Sequence, residues 1–170
     1  MTRAREMLNW ARLQPGSLTL ITFEPIDSNF EQRVRDSFAK QQLMTTLGAT
    51  LERVEAGAID IRLPVRPEIS QQHGFVHAGA IASIADSACG YAAFSLMERD
   101  SGVLAVEFKI NLLAPGAGDY LLARGRVIRA GRTLTVCQAE VVGVTNSEEK
   151  PVAIMQATIM NIQGRPGVTG

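Results

Sequence analysis

The segment that most constrains this chain is Ala78–Met97, AGAIASIADSACGYAAFSLM, in which Asp86 is the only charged residue. Its length is that of a membrane-spanning helix. More than half of it is Ala, Gly or Ser, however, and strongly apolar side chains are few. The segment therefore reads as a helix buried in a globular protein, extending from about Gly79 to Glu98 and roughly 30 Å long at 1.5 Å per residue. On a helical wheel, Gly79, Ala82, Ser83, Cys89, Gly90 and Ala93 fall on the side of Asp86, and Ile81, Ile84 and Tyr91 fall opposite. The bulky side is expected in the core. The small side must approach something closely: another backbone, a second subunit or a ligand. A carboxylate there is costly unless it is hydrogen-bonded or hydrated. Either Asp86 pairs across a subunit interface, or it is a base or nucleophile in a dry cleft, where burial tunes its pKa.

Alternating patterns surround this helix. NFEQRVRDSFAKQQLMTTLGA reads as one helix stopped by Gly48, and ATLERVEAGAIDIRLPV as a hairpin turning at EAG. After the long helix come four strands joined by short turns. The first alternates Val106, Phe108, Ile110 and Leu112 with Glu107, Lys109 and Asn111. Helix, two strands, one long helix and four hairpin-linked strands make an α+β fold: an antiparallel sheet wrapped around a long central helix. Three segments follow: an N-terminal extension (1–29) with a short helix over Met1–Leu13, the domain itself (30–163) and a flexible tail (164–170).

Composition narrows the function classes. Lys plus Arg and Asp plus Glu number 17 each, for a formal net charge of +0. That balance argues against binding to nucleic acid or an anionic membrane through bulk charge. Cys89 and Cys137 make neither a disulfide framework nor a CxxC pair, so a reduced, cytoplasmic setting is expected. Two histidines and two distant cysteines argue against a metal site. The N-terminus lacks the apolar core and cleavage site of a signal peptide.

The chemistry concentrates in QQHGFVHAG, Gln71–Gly79. Gly74 permits an unusual turn. His77 precedes the helix, and Ala78 and Gly79 open it, with first-turn N–H groups free to hold an oxyanion. Ala78 and Asp86 lie eight residues apart on one helix, about 12 Å, and so cannot both reach one carbonyl. Two such helices side by side and antiparallel would bring them together. A site shared across a two-fold dimer interface is therefore expected.

HAGAIASIAD, together with VEFKINLLAPGAGDYLLARGRVIRAGRTLTVCQAEV, resembles the hotdog-fold acyl-CoA thioesterases of the phenylacetate-degradation (PaaI-like) type. Their motif is His-Gly-Gly, four residues, Leu-Ala-Asp; here it reads His77-Ala78-Gly79, four residues, Ile84-Ala85-Asp86. The resemblance, over about Phe38 to Ile162, implies hydrolysis of a thioester to free acid and CoA. Asp86 would be the general base or nucleophile, and the Ala78 N–H of the other subunit would polarise the carbonyl. His77 would organise the loop, with Gly79 completing the motif. An Asn is common six residues before the motif His, where this chain has Gln71. Two further departures are Ala78 for the first Gly and Ala105 where a Ser or Thr is frequent, so Ser83 or Ser87 would have to supply a hydroxyl. For the CoA phosphates Asn111 and Arg132 are the favoured contacts, with Lys109, Arg124, Arg126 and Arg129 as further cations. No cofactor is implied, CoA being part of the substrate, and the assembly would be a homodimer doubling into a homotetramer. The departures at Gln71, Ala78 and Ala105 keep a second reading open, a non-catalytic acyl-CoA-binding module. A hotdog dehydratase fits least, because it needs a catalytic His in another arrangement. No Ser-His-Asp triad is supported, and Cys89 reads as packing. The acyl chain is not readable, since Phe38, Met44 and Leu47 suit a tunnel and a core equally.

Overall fold

The structure, a computed structural model, describes residues 22–165. The helix expected over Met1–Leu13 and the end of the expected tail lie outside them. In chain order the elements are α1 (Phe30–Ala39), α2 (Gln42–Leu47), β1 (Thr50–Glu55), β2 (Ala58–Pro64), α3 (Ala78–Phe94), β3 (Ser101–Leu112), β4 (Tyr120–Arg129), β5 (Leu134–Thr145) and β6 (Glu148–Gln163). The six strands form one sheet in the order β1-β2-β4-β5-β6-β3, with every neighbouring pair antiparallel. One face of it carries α3, so the α+β arrangement is the one the hydrophobic patterns predict. No helix among the described residues is long and apolar enough to cross a membrane.

One connection and two boundaries differ from the sequence reading. The turn after β3 does not make a hairpin: β3 pairs with β6, and β4 lies between β2 and β5. The expected single helix before Gly48 is two helices. Gln41 adopts an extended conformation (φ −76°, ψ 98°), and α2 restarts beyond it before ending on Gly48 in the left-handed region (φ 71°). The central helix ends at Phe94 rather than Glu98. Ser95 closes it: its hydroxyl donates to the Ala92 carbonyl (2.7 Å) and accepts the Gly57 N–H of the β1–β2 turn (2.8 Å).

α3 lies very close to the sheet. A Cβ on Gly125 of β4 would fall 2.4 Å from the backbone carbon and oxygen of Ala88. That position must therefore be glycine for the helix to sit at this depth. Ile81, Ile84, Ala85, Ala88 and Tyr91 are buried with Ile59, Ile61, Leu121, Val141 and Met155 of the sheet. The wheel's small side is divided. Cys89 and Ala93 are fully buried, while Gly79, Ala82, Ser83, Asp86, Ser87 and Gly90 retain exposure.

α1 is fastened to α3 by an antiparallel ladder of polar contacts. Buried Arg33 donates to the Phe94 and Met97 carbonyls (3.3 and 2.8 Å), stacks over the Phe94 ring and pairs with Asp27. Ser37 shares a hydrogen bond with the Tyr91 hydroxyl (3.3 Å), and Ser87 donates to the Gln41 side-chain oxygen (3.3 Å). Positions 33, 37 and 41 thus meet 94, 91 and 87, each step about one helical turn.

β3 is an outer strand of the sheet, and its pairing with β6 shifts between Ala105 and Glu107. Ala105 stands opposite buried Ile159, while Phe108, Ile110 and Leu112 stand opposite buried Ala157, Met155 and Ala153. The shift thus keeps an apolar row on the α3 side although its parity changes from odd to even. The alternation predicted for β3 is present, but Val106, Phe108 and Leu112 remain about half exposed (51%, 44% and 51%) in the single chain.

Candidate active site

The loop before α3 is built from short backbone bonds. Gln71 N–H donates to the Phe75 carbonyl (2.7 Å), and Gly74 N–H to the Gln71 carbonyl (2.9 Å). Gly74 holds φ +84°, which accounts for a glycine there. The Gln71 side-chain oxygen accepts the His73 N–H. His77 caps α3: its Nδ1 accepts the Gly79 N–H at 2.9 Å. This fixes the proton of the neutral ring on Nε2. A Cβ on Gly79 would lie 3.0 Å from that Nδ1, so the cap and the glycine belong together. The first-turn donors are thereby separated. Gly79 N–H is engaged by His77, whereas Ala78 N–H has no acceptor among the described residues.

Ala78 and Gln71 line one cleft, of about 420 Å³, with Phe75, Ile81, Leu112 and Pro115. Asp86 lines another, of about 320 Å³, between α1, α3 and the start of β3. Ser37, Lys40, Gln41, Ser87, Tyr91, Val103, Ala105 and Ile159 are among its other walls. The two elements expected to act on one carbonyl thus open into different clefts of the same chain, as their helical separation requires. In the second cleft Asp86 Oδ1 is buried and has no hydrogen-bond partner among the described residues. Burial raises the Asp86 carboxyl above its ordinary range.

The remaining sequence-predicted residues are distributed unevenly. Ser87 lines the Asp86 cleft, but its hydroxyl donates to Gln41; Ser83 donates to the Gly79 carbonyl of its own helix (2.8 Å) and does not line that cleft. Asn111 pairs with Lys109 on the outer face of β3, and Arg132 lies in the β4–β5 turn, where its carbonyl accepts from Asn161. These two residues lie toward opposite ends of β3. The structure does not bring them together in one chain. Among the other cations, Arg124 pairs with Glu149 and Arg126 with Asp60. Cys89 is fully buried and burial drives its thiol strongly upward, which leaves it no thiolate chemistry. Phe38, Met44 and Leu47 belong to the core and not to the cleft wall. Sequence reasoning missed Ser37, Lys40 and Gln41. The usable signal was a polar Gln41 at a helical position where the pattern called for an apolar side chain.

Residues 73–149 match the family model described as the thioesterase superfamily. A solved thioesterase family protein from Silicibacter pomeroyi is 47% identical with a TM-score of 0.78, covering 79% of this chain and 99% of that one. The chain belongs to the thioesterase superfamily. Its hotdog architecture recurs in the solved PaaI protein of the Escherichia coli phenylacetic acid degradation operon, 26% identical, TM-score 0.72, with 80% and 95% of the two chains covered. The curated 1,4-dihydroxy-2-naphthoyl-CoA hydrolase of Listeria monocytogenes is 27% identical over 117 residues, 69% of this chain and 93% of that protein. The superfamily match takes in the Gln71–Gly79 loop only from His73 onward, and includes α3, β3 and β4. It leaves out α1, and with it the Ser37–Gln41 wall of the Asp86 cleft.

Proposed function

We propose that this protein hydrolyses acyl-CoA thioesters to a free acid and CoA at a site shared by two copies of the chain. The observation that carries the reading is the unpartnered, half-buried Asp86 in an open cleft, with a free helix N-terminal amide in a different cleft of the same chain. A water gives its proton to Asp86 and its oxygen attacks the thioester carbon. The carbonyl electrons move onto oxygen, where the partner's Ala78 N–H and the positive end of its helix hold them. The carbonyl re-forms, the C–S bond breaks, and the CoA thiolate takes the proton. Asp86 can act instead as nucleophile, forming a mixed anhydride that water then opens. A carboxyl raised by burial suits the base role, because its basicity moves toward working pH. The steps consume only water and need no cofactor. The superfamily membership and the CoA-thioester relatives support the substrate class.

Dimerisation uses the open side of the sheet. β3 is an outer strand with unpaired backbone groups, flanked by exposed Val106, Phe108, Leu112 and Leu113. Pairing two β3 strands about a two-fold axis sets the two α3 helices side by side. On the outer face, exposed Leu104 and Leu134 flank Met160 in one cross-strand row, a surface for doubling the dimer into a tetramer.

The test is thiol release from a panel of acyl-CoAs by wild type and by Asp86→Asn. Equal rates would remove Asp86 from the mechanism, and tight binding without thiol release would make the protein a binding module. Ala78→Pro deletes the proposed oxyanion donor alone. Proline is tolerated at the first helical position, and His77 (φ −62°, ψ 138°) already has the extended conformation a following proline requires. Mixing Asp86→Asn with Ala78→Pro protomers should restore about a quarter of wild-type activity, since half the dimers are mixed and one of their two sites is intact. No recovery on mixing would place both groups in one chain. An acyl adduct on Asp86 in rapid-quench mass spectra would select the anhydride route.

A further inference from the structure

The wall of the Asp86 cleft contributed by α1 and its junction with α2 differs in chemistry from the rest. β3 and β6 contribute Val103, Ala105 and Ile159, which have no polar side-chain atoms. Ser37, Lys40 and Gln41 face them with side chains whose free hydrogen-bonding capacity is dominated by donors. The Gln41 oxygen is taken by the Ser87 hydroxyl, which leaves both amide hydrogens unassigned. Ser37 and Tyr91 have two hydroxyl hydrogens and one bond between them, so one O–H remains to donate. Lys40 makes no ion pair among the described residues. Lys40 lines the same cleft as Asp86, and no ion pair joins the two among the described residues. Apart from Asp86 itself, the cleft therefore offers a cation and several donors and no ionised acceptor to answer them.

A straight alkyl group would desolvate those donors without replacing their water, which is unfavourable. An acyl group ending in an oxygen acceptor would satisfy them, and an anionic one would pair with Lys40 through charge-assisted bonds. From this arrangement we infer that the preferred acyl group carries a carboxylate at the end far from the thioester, received by Lys40 and Gln41 with the Ser37–Tyr91 hydroxyl pair. The inference rests on the thioesterase reading above and adds the acyl class to it. Lys40 and Gln41 are assigned as specificity-determining residues, with no part in the bond-breaking step.

The experiment compares chain-matched pairs, pentanoyl- with glutaryl-CoA, hexanoyl- with adipoyl-CoA and octanoyl- with suberoyl-CoA, by kcat/KM in wild type, Lys40→Met and the double variant Lys40→Met/Gln41→Leu. In at least one pair the ω-carboxyl substrate should be favoured by about tenfold or more. That ratio should fall severalfold in Lys40→Met and approach one in the double variant. A wall that only holds α1 in place would lower both members of a pair together and leave the ratio untouched. Preference for the alkyl member in every pair, or a ratio that survives the double substitution, overturns the inference while hydrolysis itself keeps the thioesterase reading intact. Hydrolysis of no member of any pair overturns the inference, and thiol release from any other member of the acyl-CoA panel then keeps the thioesterase reading intact.

Discussion

The two sides of α3 answer to different demands. On the sheet side, Ala88 lies against Gly125 with no room for one more carbon, and the neighbouring side chains are fully buried. On the open side, Gly79, Ser83, Asp86, Ser87 and Gly90 keep exposure, and a buried carboxylate oxygen has no partner. Packing that cannot yield lies one helix diameter from a polar group left unsatisfied. A carboxylate can be kept in that condition only where the backbone carrying it is fixed by something else, and here the sheet side fixes it. The difference shows that one helix can carry rigidity and reactivity at once if they occupy different faces.

The sharpest way to separate the faces is Asp86→Asn. It should lower kcat by roughly two to four orders of magnitude while the folded state survives. Ala78→Pro should lower kcat by roughly two to three orders of magnitude, again with the fold kept. Gly125→Ala reverses the pattern. It should cost about 3 kcal/mol of stability in urea unfolding, because backbone atoms of Ala88 must move, and a folded Gly125→Ala protein that melts like wild type would break the comparison. The smallest effect is in the pH dependence of stability. Burial raises the Asp86 carboxyl in the folded state, so the native protein holds this proton more tightly than the unfolded chain. The contribution is present below the ordinary carboxylate pKa and is lost as pH rises through the raised value. Asp86→Asn should therefore melt above wild type at pH 8, with the gain disappearing toward pH 4. A constant difference across that range would mean that burial does not set the Asp86 pKa.

Much of this was readable beforehand, and for physical reasons. Period-two alternation in Ile59–Val65 and in β3–β6 depends on burial of one face, so the fold class followed from the pattern, whereas the strand order did not: the short turn after β3 suggests a hairpin with β4, but β3 pairs with β6 and β4 with β2. The Ala78–Asp86 separation followed from helical rise alone. What else failed was local. Nothing in AKQQL marks a break, since neither Gly nor Pro is present, yet Gln41 leaves the helical region. The break turns the Gln41 side chain to Ser87 and builds the donor wall, so the same unreadable dihedral hid both a helix boundary and part of the site. The CoA contacts were weakly determined for a related reason. Arg124 and Arg126 are matched to Glu149 and Asp60 across strands, a pairing that depends on register and is invisible to a charge count. The wheel erred over Cys89 and Ala93 because it takes no account of position along the helix: Ala82, on the same side but nearer the N-terminus, keeps exposure, while Cys89 and Ala93 are fully buried.

The irregularity at Val106 limits how β3 can change length. In a regular strand, adding or removing one residue turns every later side chain to the opposite face. Here the extra residue is already absorbed at one point, and the apolar row faces α3 on both sides of it. Removing Val106 would straighten the strand and leave Phe108, Ile110 and Leu112 facing inward. Removing any residue between Glu107 and Leu112 would instead turn part of Glu107, Lys109 and Asn111 toward the helix. Among single-residue deletions in this strand, relatives should therefore tolerate one at Ala105, Val106 or Glu107 far more readily than one between Phe108 and Asn111.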